Sequence, residues 1–473
     1  MKNNLKLLLV ACLALCVLLV SCSNRGPGKN LIDREEPAQF KPTPDVDVDP
    51  ELLKKYQTHK ENAPLAFTTY ENNPAEDFEY SITDGGVIIE NYIGEGDIVL
   101  IPDTIEGVSV HTLEKTSFAG KDVRAVYVPD SVKIIRKGAF EDCKSLSTLR
   151  IPFIGNGEGD NNGGVIFGSD EYISNGLKVP GSLKMLIVGE GVSEVCANSL
   201  SYFKSLEAII LPGSLKKIGQ FAFNECRSLV YVDLGGVKYI EEYAFLCAES
   251  LISLDVPDTT LEISLGAFME CESLKYISLP FVGGSNAENR YIGYIFGAED
   301  PAWNGDFVPA MLSYVTVRSE NVPNAAFEGC INLIEVTLEN GVETVGERAF
   351  ANCKSMQSVI VADSVQNIGA DAFINCYTLE SFVISTNAKL SSIGVQSFMN
   401  CRSLKTVRLP MAITEIPAGA FWGCAALETV DAVRITSVGA NAFRGCESLS
   451  HVTGITVGGI HATGNTNLRI LLG

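Results

Sequence analysis

An aromatic residue, usually preceded by alanine, returns along this chain at a near-constant interval. It stands at Phe118, Phe140, Phe223, Phe245, Phe268, Phe327, Phe350, Phe373, Phe398, Phe421 and Phe443, with Leu200 filling one degenerate place. The successive spacings are 22, 60, 23, 22, 23, 59, 23, 23, 25, 23 and 22 residues. Five residues before each of the twelve anchors stands an aliphatic side chain, from Leu113 and Ile135 to Ile416 and Val438. Six residues after the anchor comes Leu or Met in eleven cases, Arg124 being the exception. A unit of about 23 residues cannot bury its apolar side alone, whereas copies stacked on one another share a continuous core. The period therefore predicts a solenoid of twelve coils.

Each unit reads Leu-x-x-(Ile/Val)-x-(Leu/Ile)-Pro, then Val-x-x-Ile-Gly-x-x-Ala-Phe-x-x-Cys. Alternation such as Leu206 to Leu211, closed by Pro212, predicts a short strand that proline ends. Strands of successive coils are expected to pair into one curved parallel sheet, in a mainly β fold with short turns and 3-10 segments. Gly219, Gly346, Gly369, Gly394 and Gly439 are expected where the chain must turn, as are Asn352, Asn375 and Asn400. The Ile-Gly-x-x-Ala-Phe-x-x-Cys run, as in Ile368 to Cys376, and the strand end Leu409-Pro410 resemble the BspA-like leucine-rich-repeat family of bacterial surface proteins. The resemblance covers about residues 78 to 460 and implies a leucine-rich-repeat solenoid engaged in adhesion to matrix or host glycoproteins. It fixes no ligand.

Of 14 cysteines, Cys12, Cys16 and Cys22 lie near the N-terminus, leaving 14 − 3 = 11 in the body. Nine of these stand three residues after an anchor: Cys143, Cys226, Cys271, Cys330, Cys353, Cys376, Cys401, Cys424 and Cys446. Equivalent places in stacked coils form a ladder, and an odd set of near-identical positions offers no pairing scheme, so buried free thiols are expected.

The two long spacings each exceed one coil, by about 37 and 36 residues. Both additions follow a strand-ending proline, at Pro152-Phe153-Ile154-Gly155 and Pro280-Phe281-Val282-Gly283, and both contain a matching apolar stretch, Val165 to Gly168 and Tyr294 to Gly297. We place the insertions at about residues 153–180 and 281–309 and expect them to be extruded on one edge of the stack. Long loops often carry function, so the aromatic faces of Phe153, Tyr172, Tyr291, Tyr294, Trp303 and Phe307, with Trp422 beside an anchor, are the candidate binding residues. The competing reading has these rings pin each loop to the coil beneath.

Residues 1–21 carry Lys2, Lys6 and an apolar run from Leu7 to Val20, too short to span a bilayer and of signal-peptide length. Leu19-Val20-Ser21-Cys22 resembles the lipobox of bacterial lipoproteins, which implies lipidation at Cys22 and anchoring to a membrane. Ser23 and Asn24 follow, so the outer membrane, facing the cell surface or the periplasm, is the expected resting place. Residues 22–64 read as a Pro-rich tether with a short helical turn over Pro50 to Gln57, 65–117 as a capping segment, 118–460 as the solenoid and 461–473 as a C-terminal tail.

With 36 Lys+Arg against 57 Asp+Glu, the net charge is -21, which repels nucleic acid. The four histidines, His59, His111, His451 and His461, form no metal-ligand spacing, and no cofactor or metal is expected. Asp45 to Asp49 imitates the start of a calcium loop, but Pro50 stands where glycine is needed and Tyr56 where the bidentate glutamate belongs. Gly155 to Asp160 does not complete a dinucleotide fingerprint, and no Gly-x-Ser-x-Gly elbow is present. Binding to a host or bacterial protein or glycan is the expected role, a carbohydrate-capture protein the alternative, and a hydrolase the weakest reading.

Overall fold

Alternation of inward and outward side chains makes the first segment of every coil a short strand, and parallel neighbours supply its hydrogen bonds. The computed structural model describes residues 50–62, 66–384 and 388–455, together with Gly464, Asn465 and Leu468. Residues 1–21, Cys22, most of the stretch expected as tether, the Asp45 to Asp49 run and most of the expected C-terminal tail lie outside the described residues.

Among the described residues, fifteen strands form the broad side of the stack, in ladders of six, six and three. The first runs from Ile98–Leu100 through Ala125–Tyr127, Thr148–Ile151, Met185–Val188 and Ala208–Ile210 to Tyr231–Asp233. The second takes in Ser253–Asp255, Tyr276–Leu279, Tyr314–Val317, Glu335–Leu338, Ser358–Val361 and Ser381–Ile384. Thr406–Arg408, Thr429–Asp431 and His451–Val452 make the third. On another side of each coil, two-residue strands such as Lys217–Ile218 and Tyr239–Ile240 pair in narrower parallel ladders. Most of the aliphatic residues that precede an anchor by five lie in these, and all twelve are buried. At the N-terminal end, the hairpin Phe78–Thr83 and Gly86–Tyr92 leads in, its second strand pairing in parallel with Val108–Leu113.

All twelve anchors are buried, and the phenyl rings of neighbouring anchors stack from Phe118 to Phe140, from Phe223 to Phe268 and from Phe327 to Phe443. Centroids lie 5.1 Å apart for Phe327 and Phe350, 5.3 Å for Phe350 and Phe373, and 5.2 Å for Phe373 and Phe398, with planes within 13° of parallel. Tyr92 opens the column, 5.7 Å from Phe118. Arg124, the exception six residues after an anchor, points outward to Asp97, while Val123 is buried in its stead.

Twelve coils is an undercount. Between the anchors Phe140 and Leu200, two strands of the broad side pass rather than one, and Phe167 enters the ring column 6.2 Å from Phe140 and 6.3 Å from Phe203. The amides of Gly138 and Phe140 donate to the carbonyls of Val165 and Ile166. Those of Gly266 and Phe268 donate likewise to Tyr294 and Ile295, with Phe296 buried alongside. Each long spacing therefore hides a further coil, lengthened but kept in the stack, and the insertions are not extruded whole. The coil from Thr148 to Met185 takes 185 − 148 = 37 residues, against 23 from Met185 to Ala208. Only the excess has to leave the coil outline.

The recurrent glycines answer to a different cause from the one expected. A Cβ on Gly369 would meet the backbone nitrogen of Glu347 at 2.6 Å, and one on Gly394 would meet that of Ala370 at 2.3 Å. Close approach of one coil's backbone to the next requires them, not a turn conformation. The left-handed turn falls instead two residues after the anchor, at all twelve places, including Asn352, Asn375 and Asn400 with φ near 60°. Asparagine tolerates that region. Its amide is used too, since Asn375 donates to Asn352 at 3.0 Å and Asn400 to Asn375 at 2.9 Å.

The thiols form the expected ladder. Eight of the nine donate to the carbonyl of the anchor one coil earlier, as Cys353 does to Phe327 at 3.1 Å and Cys376 to Phe350 at 3.2 Å. All eleven body cysteines are free. Burial pushes the thiols of Cys143, Cys226, Cys376 and Cys446 up to about 12. At pH 8 such a group is thiolate about one part in ten thousand, and the thiolate is the nucleophile. The ladder thiols should thus react with a disulfide reagent about a thousandfold more slowly than a free cysteine, and all should react once the chain is unfolded in guanidinium; rapid labelling of the folded protein at Cys376 would contradict this packing.

Candidate recognition surface

Side chains that alternate away from the core line the outer face of the broad sheet in parallel rows. One row runs from Ala125, Thr148, Met185, Ala208 and Tyr231 on to Tyr276, Tyr314, Glu335, Ser358 and Ser381; a second includes Tyr127, Arg150, Ile187, Ile210, Thr316, Thr337, Ile360 and Val383. The early part of the face is apolar and the later part is rich in hydroxyls. Ile360 and Val383 break that later pattern, standing opposite each other on paired strands, 40% and 51% exposed. Neither was a candidate from the sequence. The signal was available in Ser358-Val359-Ile360-Val361 and Ser381-Phe382-Val383-Ile384, where an apolar run overrides the usual alternation.

The apolar part of the face is covered by the chain itself. Residues expected as tether form a helix, Pro50–Asn62, that lies on the sheet. Leu52, Leu53 and Tyr56 pack with Val230, Ile252 and Met311, and the Tyr56 ring meets Tyr231 edge-on at 5.8 Å. Ala66 continues over Met185, Ala208, Ile187 and Ile210, and Phe67 meets Tyr127 at 5.6 Å. Glu207 gathers three basic side chains: Lys55 at 3.4 Å and His59 at 3.2 Å from the helix, and Lys184 at 3.3 Å from the foot of the preceding strand. Burial opposes the charge on Glu207, yet the hydrogen bond to His59 and the two ammonium groups outweigh it and hold the carboxyl below its ordinary value.

The candidate aromatics divide. Tyr291 is buried, its hydroxyl donating to the Ala298 carbonyl at 3.2 Å, and Tyr294 and Phe153 are half-buried against the core. These three pin the enlarged coils. Tyr172, Trp303 and Phe307 stay exposed, with the last two brought together at a centroid distance of 6.5 Å and 25° between planes. Tyr172 occupies the corresponding part of the other enlarged coil. Trp422 is half-buried beneath the Arg444 guanidinium, 5.0 Å from its centroid. Sequence reasoning passed over Asn175 and Asn304, both fully buried at matching places. Asn304 accepts from the Gly293 amide at 2.8 Å and donates to Ala325 at 3.2 Å, and Asn175 donates to Ser201 at 3.0 Å. Each locks the excess chain onto the next coil. Their sequence signal was a repeated Asn-Gly in both insertions.

A family model described as BspA type Leucine rich repeat region matches in six copies, over residues 107–156, 181–287 and 320–453. That is more than half of the chain. The chain belongs to this BspA-type leucine-rich-repeat family. The stretches left unmatched inside the BspA-type array coincide with the enlarged coils, whose anchors lack the Ala-Phe-x-x-Cys signature. Among solved structures, it is similar to a leucine-rich repeat protein from Bacteroides ovatus, at 21% identity over 81% of this chain and 94% of that one, with a TM-score of 0.34. A leucine rich cell surface protein from Faecalibacterium prausnitzii also matches at 21% identity, over 86% and 98%, with a TM-score of 0.29. The pneumococcal vaccine antigen PcpA matches at 15% identity, over 83% and 97%, with a TM-score of 0.28. No curated protein matches the chain in sequence. Among the described residues, no helix of this BspA-type protein is long and apolar enough to cross a membrane.

Proposed function

We propose that this protein is a lipid-anchored cell-surface protein of the outer membrane that binds a host or bacterial protein through the uncovered part of its sheet face. Anchoring through Cys22 rests on the lipobox resemblance of Leu19 to Cys22. Membership of a family of repeat proteins whose stacked units offer wide surfaces supports binding rather than catalysis. The observation that carries the reading is the pair Ile360 and Val383, exposed side by side on paired strands and flanked by Ser358, Thr337 and Ser381, an apolar centre with a polar rim. A second reading, capture of a glycan, is favoured by one observation: the exposed Trp303 and Phe307 rings held near-parallel.

One experiment separates the two. Full-length protein is applied to arrays of extracellular glycoproteins and free glycans, and the ligand it retains is tested against variants. Ile360→Asp with Val383→Asp should weaken protein binding at least tenfold, since a central hot spot on such an interface is worth about 2 kcal/mol or more, and should leave circular dichroism unchanged. Binding that survives this change but vanishes in Trp303→Ala would transfer the role to the rings. Protease treatment of intact cells that leaves the protein whole would remove the surface location.

A further inference from the structure

The contacts of Pro50–Asn62 follow an order. His59 stands at the Glu207 rung, Tyr56 at the Tyr231 rung, and Leu52 and Leu53 reach the group formed by Val230, Ile252 and Met311. The helix thus runs along the stack, one turn to each strand. A helical turn rises 5.4 Å and paired strands lie about 4.8 Å apart, so over two or three turns the two repeats stay in step. Glu207, Val230 and Ile252 hold the same place in three successive coils, one residue before the strands Ala208–Ile210, Tyr231–Asp233 and Ser253–Asp255. They form a row with an acidic group at one end and apolar groups after it. The sheet face therefore has a periodicity and a polarity that a helix with adjacent leucines, an aromatic one turn on and a basic side chain in the next turn can read.

The resident helix is held lightly. None of its residues is buried, and its contacts form clusters apart from the main core. A free helix of 13 residues is marginal in water, so this one depends on the contact for its order. The sheet beneath remains complete without it, because the phenyl column, the aliphatic row and the thiol ladder all lie on the inner side.

We propose that the face from Met185 to Met311 is a docking site for an amphipathic helix of a partner protein, and that the helix Pro50–Asn62, with Ala66 and Phe67 after it, is its resident, displaceable occupant. Removal of the cover uncovers Tyr231, Met185, Ile187 and Ile210. The partner is recognised by the pattern Leu-Leu-x-x-aromatic-x-x-His/Lys, the one Leu52, Leu53, Tyr56 and His59 present. This site is distinct from the Ile360 and Val383 patch and does not depend on it.

The probe is a fluorescent synthetic peptide with the sequence of residues 50–70, added to the full-length protein. A tethered occupant enjoys a millimolar effective concentration, so the parent protein should bind the peptide at least tenfold more weakly than a variant carrying Leu53→Glu and Tyr56→Glu, which loosens the cover and leaves the sheet intact. Adding Glu207→Ala to that variant should remove the gain. Equal binding to parent and variant, binding to neither, or indifference to Glu207→Ala would each overturn the proposal. Hydrogen exchange of the parent protein gives a second measure free of any substitution: amides of residues 54–62 should exchange at least a hundredfold faster than those of Ala208–Ile210. Exchange at the same rate would make the helix a fixed part of the fold and end the idea. Either failure leaves the reading of the open sheet face standing.

Discussion

Replacing Phe350 by alanine should cost about 3–5 kcal/mol and should split one unfolding transition into two. The ring lies between Phe327 at 5.1 Å and Phe373 at 5.3 Å, so its removal deletes two stacking contacts and leaves a void that neighbouring coils, tied by their ladders, can close only in part. In a linear array each coil touches only its neighbours, and stability is a sum of coil terms and joints. A weakened joint therefore uncouples the parts on either side. The two tryptophans report on them separately, Trp303 before the joint and Trp422 after it. Urea titration of Trp303→Phe and Trp422→Phe proteins should give coincident fluorescence midpoints with Phe350 present and separated midpoints in Phe350→Ala. Coincidence in both backgrounds would mean that the phenyl column does not couple the coils.

The second large effect reverses an ordinary rule. Glycine to alanine at a permitted backbone conformation usually stabilises by about 0.4–1 kcal/mol, because the unfolded chain loses freedom. Gly394→Ala should instead destabilise by about 1–3 kcal/mol, since the new methyl would stand 2.3 Å from the Ala370 nitrogen and 2.4 Å from the Gly369 carbonyl carbon. Backbone, unlike a side-chain tip, cannot swing aside. Gly191 is the control, for a Cβ there meets nothing within 4 Å, and Gly191→Ala should be neutral or stabilising. Thermal melts should fall for Gly394→Ala and hold or rise for Gly191→Ala. A shared direction would show that the coils can spread apart at little expense.

Much of the fold could be read from residues alone because its causes are local and repeated. The Phe and Ile/Val positions announce a core by their period, and the strand by its alternation. Two coils escaped because Val165-Ile166-Phe167-Gly168 and Tyr294-Ile295-Phe296-Gly297 keep the apolar filling but drop the alanine and cysteine that mark most of the other anchors. Their extra residues then looked like loops. The recurrence of the glycines is legible but its cause is not, since the distance between backbones of neighbouring coils leaves no trace in one unit. The surface was less legible. Leu52, Leu53 and Tyr56 show a weakly apolar stripe in a polar, proline-punctuated stretch, and nothing in it says where it docks. Glu207 is one acidic residue among 57 Asp+Glu, and only the fold brings it to His59, which lies 148 positions away.

The sulfur ladder has a consequence for how such a chain can lengthen. A scaffold pinned by disulfides must acquire cysteines two at a time and then sort the right mates from the wrong ones. Here an added unit of the kind that carries Cys376, Cys401 or Cys424 brings a single S–H whose acceptor, the carbonyl of the preceding anchor, is already waiting. Duplication of such a coil creates neither an orphan nor a mismatch, and the joint forms in an oxidising or a reducing environment alike.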